Sequence, residues 1–138
     1  MSQSPNRLLG IFLGIVYVLD GIYGYFLTSD TAFMATSGPK VFSLFEINPL
    51  HNLVHLVVGV ALLTAALVGP RLARATNTTL GAIFLLVGVV GLLLSGGNNP
   101  LNILAINGAD NVLNFASAAI LLAVGLGADR VAGRSKKE

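Results

Sequence analysis

The chain has 138 residues, room for a single domain, and is 54% hydrophobic but only 10% charged. Soluble domains average roughly 25% charged residues, and 8 basic and 6 acidic side chains cannot give a chain this long a soluble shell. That excludes an ordinary soluble enzyme, a nucleic-acid binder (net charge is only +2) and a disordered tail, and the absence of Cys excludes disulfides, zinc–thiolate sites and iron–sulfur clusters.

A helix needs about 20 apolar residues to cross a ~30 Å hydrocarbon layer. Four segments meet this, taken in chain order. The first, 8–27, is interrupted by Asp20. Its early part resembles the core of a signal peptide, but no small-x-small cleavage site follows, so it reads as a retained span. The second, 49–68, opens on Asn48-Pro49, a helix cap followed by a first-turn proline, and ends at Gly69-Pro70. It carries His51, Asn52 and His55 near its start. The third, 78–95, holds no ionisable residue. The fourth, 109–128, follows a second cap, Asn107, and carries Asp110, Asn111 and Asn114 near its start. Backbone groups find no water in lipid, so each span should be helical. Residues 129–138 read as a basic, solvated tail within reach of anionic headgroups.

The spacing predicts an all-α integral membrane four-helix bundle, one transmembrane domain over 1–138. Arg7, Arg71, Arg74, Arg130, Arg134, Lys136 and Lys137 fall on one side of it and Lys40 on the other. The positive-inside rule then places both termini in the cytoplasm.

The chain also repeats itself. Residues 47–55, INPLHNLVH, return at 106–114 as INGADNVLN, and the match continues through Leu62-Leu63 and Leu121-Leu122. The first and third spans match more weakly, at Leu9-Gly10 and Leu80-Gly81. Two tandem hairpins follow, related by a pseudo-twofold axis along the membrane normal. The apolar external stretches 42–45 and 101–104 should lie in the interface or dip over the bundle. Gly10 and Gly14, and Gly81, Gly88 and Gly91, are expected at close helix contacts, within the bundle or between two copies.

His51 and His55 share one helix face. Asp20 lies about 12 Å below the outer boundary and His55 about 10 Å below it, at 1.5 Å per residue. Asp20 and His55 therefore match in depth, and His51 and Asp110 occupy equivalent repeat positions. A carboxylate in lipid must turn inward and find a partner. The expectation is a buried network of Asp20, His51, Asn52, His55, Asp110, Asn111 and Asn114, with Tyr17 and Tyr23 each about a turn from Asp20. Three readings compete: groups that cap helices and lock their register, a small polar cavity for a proton, ion or ligand, and a metal site. For the last, His51 and His55 with Asp20, Asp110 or Glu46 supply enough ligands. The zinc-protease pattern fails, because Asn52 stands where its Glu belongs. Haem is disfavoured because both histidines come from one helix. Asn77-Thr78-Thr79 matches a glycosylation triplet but falls at the cytoplasmic face.

The run Asn48-Pro49-Leu50-His51-Asn52-Leu53-Val54-His55-Leu56-Val57-Val58-Gly59, followed by Ala109-Asp110-Asn111 at the opening of the last span, resembles a family of bacterial, actinobacterial-type membrane proteins called domain of unknown function 4383. The resemblance covers nearly the whole chain. Members of that family often carry His where this chain has Asn114, which removes the symmetry of a two-sided histidine site. The resemblance implies the four-helix fold and a membrane location and adds no catalytic role.

Taken together, the sequence reads as a non-enzymatic protein of the bacterial inner membrane, a structural or accessory subunit of a membrane complex. Binding or transport of a small ligand, ion, proton or metal at the polar cluster is the alternative. A membrane enzyme using Asp20 or Asp110 as an acid–base group comes third. The partners expected are the lipid bilayer and a membrane complex or second copy, without nucleic acid, and no cofactor is expected apart from the metal alternative.

Overall fold

The structure is a computed structural model that describes residues 4–95 and 98–128. Its helices are α1 (Pro5–Leu27), α2 (Pro49–Val68), α3 (Pro70–Leu94) and α4 (Gly108–Ala123), the last continued by a π-helical turn, Val124–Ala128. All four are long and apolar enough to cross a membrane. Between α1 and α2 lies a short antiparallel hairpin, β1 (Lys40–Val41) and β2 (Phe45–Glu46). The expected tail 129–138, with Arg130, Arg134, Lys136 and Lys137, lies outside the described residues.

The second helix has the expected bounds, while the third begins at Pro70 rather than near 78. Proline at the first helical position lacks only an N–H that would be unpaired there anyway. The chain therefore turns from α2 into α3 through Gly69 alone, and the polar stretch from Arg71 to Thr79 becomes helix that extends past the apolar segment.

Each helix buries a narrow seam of small or polar residues and exposes its large apolar side chains. On α1 the seam is Asn6, Gly10, Gly14, Tyr17, Gly21 and Gly24. Phe12, Leu19 and Phe26 face outward. That inversion of a soluble protein suits a lipid solvent, in which helices associate through close backbone packing rather than apolar burial. α1 packs on α2 and α3 on α4, with matching contacts. A Cβ on Gly14 would lie 2.7 Å from Leu63 Cγ, and one on Gly81 would lie 2.8 Å from Leu122 Cγ. Gly24 rests against the Asn52 amide, and Gly91 against that of Asn111. By these contacts Gly14, not Gly10, takes the place in the first hairpin that Gly81 takes in the second. The Leu-Gly match at 9–10 and 80–81 misleads because that dipeptide recurs by chance in glycine-rich apolar helices.

Polar groups close both ends of the bundle in the same paired manner. At the arginine end, Arg7 Nε donates to the Ala66 carbonyl (2.7 Å) and Arg74 Nε to the Gly125 carbonyl (3.0 Å). Each satisfies a carbonyl near the C-terminal end of the neighbouring helix. Asn6 Nδ2 donates to Val124 O, and Asn77 Nδ2 donates to Asn6 Oδ1 (2.9 Å). At the opposite end, Asn48 Nδ2 donates to Ile103 O and Asn107 Nδ2 to Leu44 O, both at 2.7 Å. Each cap therefore also fastens the loop of the other hairpin. The two external stretches do fold over the bundle, burying Val41, Ile47, Ala105 and Ile106 while leaving Phe42, Leu44 and Leu101 exposed. Three non-glycine residues there, Phe42, Ser43 and Ala105, adopt φ of 51–60°, which these tight reversals impose.

Candidate functional site

The polar side chains do not form one network. They divide into one continuous chain and several local pairs. His51 sits at the first turn of α2, where the Asn48 cap accepts its backbone N–H (2.8 Å). One turn later comes His55, and the two Nε2 atoms meet at 3.1 Å. His51 Nδ1 lies 2.9 Å from the Leu104 carbonyl. His55 Nδ1 lies 2.5 Å from Asp20 Oδ2, so the depth match anticipated for these two is realised as a direct contact.

The sequence of partners fixes the protons. A carbonyl only accepts, so His51 Nδ1 carries hydrogen. Each of the three contacts, Leu104–His51, His51–His55 and His55–Asp20, holds one proton. Two imidazoles and one carboxylate sharing three protons are neutral as a set, wherever along the chain those protons sit. Asp20 thus has its compensating proton, as a carboxylate at this depth requires. Its Oδ1 makes no hydrogen bond among the described residues, and its side chain is 32% exposed.

Tyr17, one turn before Asp20, is buried, sits edge-on to His55 with ring centroids 4.9 Å apart, and shares a 2.6 Å hydrogen bond with Ser117 of α4. Tyr23 is 52% exposed and stays outside the cluster. Tyr17 and Tyr23 lie about 60° to either side of Asp20 around the helix, and Asp20 stands at the edge of the buried seam, so the Tyr17 side faces inward and the Tyr23 side outward. Asn52 donates to Thr28 Oγ1 (3.0 Å), and Asn111 donates to Ser95 Oγ (3.2 Å). These pairs tie α2 to the end of α1 and α4 to the end of α3, away from the histidines. Asp110 closes a capping box with Asn107: its Oδ2 accepts the Asn107 N–H (2.9 Å) while Asn107 Oδ1 accepts its own (3.0 Å). No hydrogen bond joins it to His51. Asn114, equivalent to His55 in the repeat, makes none among the described residues.

The proposed metal ligands do not converge. Both Nε2 atoms are spent on each other, and no group of three or more metal-ligating side chains gathers among the described residues. Glu46 is engaged by the loop, accepting the Gly38 N–H at 2.9 Å.

Two clefts flank the histidine pair, and they are counterparts. One opens between α1 and α4 and has a volume of about 230 Å³. The other, between α2 and α3, has about 60 Å³. Where the first is lined by Tyr17, Asp20, Asp110 and Ser117, the second has Phe84, Val87, His51 and Val58 in the corresponding places. The same architecture thus carries two largely apolar clefts, one roomy and bearing two carboxylates and the Tyr17–Ser117 hydroxyls, the other tight and without them. Sequence reasoning missed Ser117, Thr28, Ser95 and the Leu104 carbonyl. Ser117 was within reach: it is a lone hydroxyl in an apolar stretch, where the other copy of the repeat has Val58.

The family model described as Domain of unknown function (DUF4383) matches residues 7–127. The chain belongs to this family. Neither the curated proteins nor the solved structures provided a match. In this DUF4383 member every residue of the polar cleft falls inside the matched span.

Proposed function

We propose that this DUF4383 chain is a non-enzymatic binding protein of the bacterial inner membrane, built from two copies of one helical hairpin, that holds a small molecule in the cleft between α1 and α4. The observation that carries this is the contrast between the two clefts. A polar set serving only to lock helix register, like the Asn52–Thr28 and Asn111–Ser95 pairs that tie helix to helix, needs no open space between its members. In the α1–α4 cleft, Asp20, Asp110 and the Tyr17–Ser117 pair instead line a space of about 230 Å³. That is far more than a single water needs, about 10–15 Å³ by the same measure. This favours binding over a purely accessory role. Arg7, Arg71 and Arg74 at one end of the bundle and Lys40 at the other favour cytoplasmic termini, which puts the cleft in the outer half of the bilayer.

Two matched variants test it. Ser117→Leu pushes a hydrocarbon branch into the polar cleft, and Val58→Leu makes a comparable enlargement in its counterpart. Protein taken directly from host membranes in lipid nanodiscs should carry a small-molecule adduct in native mass spectrometry. Val58→Leu should keep the adduct and Ser117→Leu should lose it. Wild-type protein without an adduct, or an adduct that Ser117→Leu retains, would sink the binding reading.

A further inference from the structure

We infer that the ligand of the α1–α4 cleft is an organic cation: a protonated amine with a compact apolar body, its N–H groups directed at Asp110 and the free oxygen of Asp20. This rests on the binding reading above and names the chemistry of that same site. The Asp20–His55–His51 chain is neutral as a set, so it contributes no net charge to the cleft. Asp110 is different. It is 3% exposed, and its side chain accepts backbone N–H groups, of Asn107 and of Glu46, which bring no full positive charge. Among the described residues Asp20–His55 is the sole ion pair, and no Lys or Arg lines the cleft. The site therefore presents one carboxylate with no Lys or Arg beside it and, in Asp20 Oδ1, one spare acceptor. A charge held in apolar surroundings needs a counter-charge within hydrogen-bonding range.

The rest of the lining selects the body of the ligand. Leu13, Val16 and Leu113 supply hydrocarbon, and Phe42 and Phe45 bring aromatic rings to the outer lip. Aromatic faces attract cations, which suits a mouth that passes an ammonium group. An anion would meet two carboxylates and no cationic side chain. A neutral alcohol would leave Asp110 without a counter-charge. The counterpart cleft has Val87 in the place of Asp20, and so serves as an internal control.

The test is equilibrium dialysis of radiolabelled benzylammonium against the full chain in lipid nanodiscs at neutral pH, with empty nanodiscs subtracted. Benzyl alcohol and benzoate, of the same body and different head, are run alongside. Benzylammonium should bind at least tenfold more tightly than either. Asp110→Asn should weaken it at least tenfold, because the amide oxygen still accepts the Asn107 N–H while the charge is gone. Ser117→Leu should abolish binding and Val58→Leu should leave it unchanged. An unchanged melting temperature of Asp110→Asn shows that its loss is not a folding defect. If it melts lower, the Ser117→Leu and Val58→Leu pair and the three head groups decide alone. Benzyl alcohol or benzoate binding as tightly, in a way Ser117→Leu removes, would overturn the cation assignment and leave the cleft reading standing. Benzylammonium binding that a folded Asp110→Asn retains would also overturn the assignment. Binding of none of the three overturns it too, and if native mass spectrometry also shows no adduct the cleft reading falls with it.

Discussion

Glycine acts in this chain as a spacer whose value depends on what faces it. At Gly14 an added Cβ would lie 3.0 Å from the Gly59 carbonyl as well as 2.7 Å from Leu63, and the carbonyl belongs to backbone that cannot swing aside. Gly69 has nothing within 4 Å of the same position, and its φ of 160° is ordinary extended backbone. Gly14→Ala is therefore expected to lower stability by about 1–3 kcal/mol, the usual range for overpacking, and Gly69→Ala to leave it unchanged. Unfolding titrations in mixed micelles check both. Gly24 and Gly91 have a more particular task. Each lets an asparagine amide lie on the helix backbone, with its Nδ2 donating to the hydroxyl that ends that helix. The Oδ1 atoms of Asn52 and Asn111 are buried without an N–H or O–H partner among the described residues. Weak contacts with glycine Cα–H groups are the interaction this geometry leaves them.

At the scale of elements, the two caps look alike in sequence and differ in what they hold. Asn48 and Asn107 each accept the N–H three residues on, and each reaches across to the other hairpin's loop. Asn48 is fully buried and donates in addition to the Ala35 carbonyl, whereas Asn107 shares its helix end with the Asp110 side chain. Removal of a cap costs about 1 kcal/mol, and each buried carbonyl left unpaired adds roughly 1–3 kcal/mol. Asn48→Ala should thus destabilise the protein clearly more than Asn107→Ala, read as the difference between their melting midpoints. Equal effects would mean that the additional bond to the Ala35 carbonyl and the full burial of Asn48 contribute nothing. Proline explains the abrupt α2–α3 reversal in the same local terms. The π turn after α4 has a different cause: it presents the Val124 and Gly125 carbonyls to Asn6 and Arg74, residues distant in sequence.

For the whole molecule, orientation is the property to measure. The chain has no Cys, so single replacements report without background. Ser37→Cys, in the loop at the end opposite the arginines, should react with an impermeant thiol reagent added to intact cells. Ala75→Cys, in the first turns of α3, should react only after lysis. The opposite labelling would invert the molecule in the membrane and put the polar cleft in the inner half.

The number of spans, the bounds of α2, both asparagine caps and the depth of Asp20 relative to His55 are all legible in the chain, because they depend on local chemistry: apolar run length, cap residues and a fixed helical rise per residue. The similarity of 47–55 to 106–114 likewise suggests in sequence which positions correspond. What the sequence did not reveal is how equivalent positions are used. His51 and Asp110 occupy like places, yet one joins a proton-sharing chain and the other closes a capping box. Tyr17 turns inward and Tyr23 outward although both lie one turn from Asp20. Those outcomes follow from which helix face meets which neighbour. Pairing α1 with α2 and α3 with α4 leaves two clefts between the hairpins, and only packing sets how wide each one is.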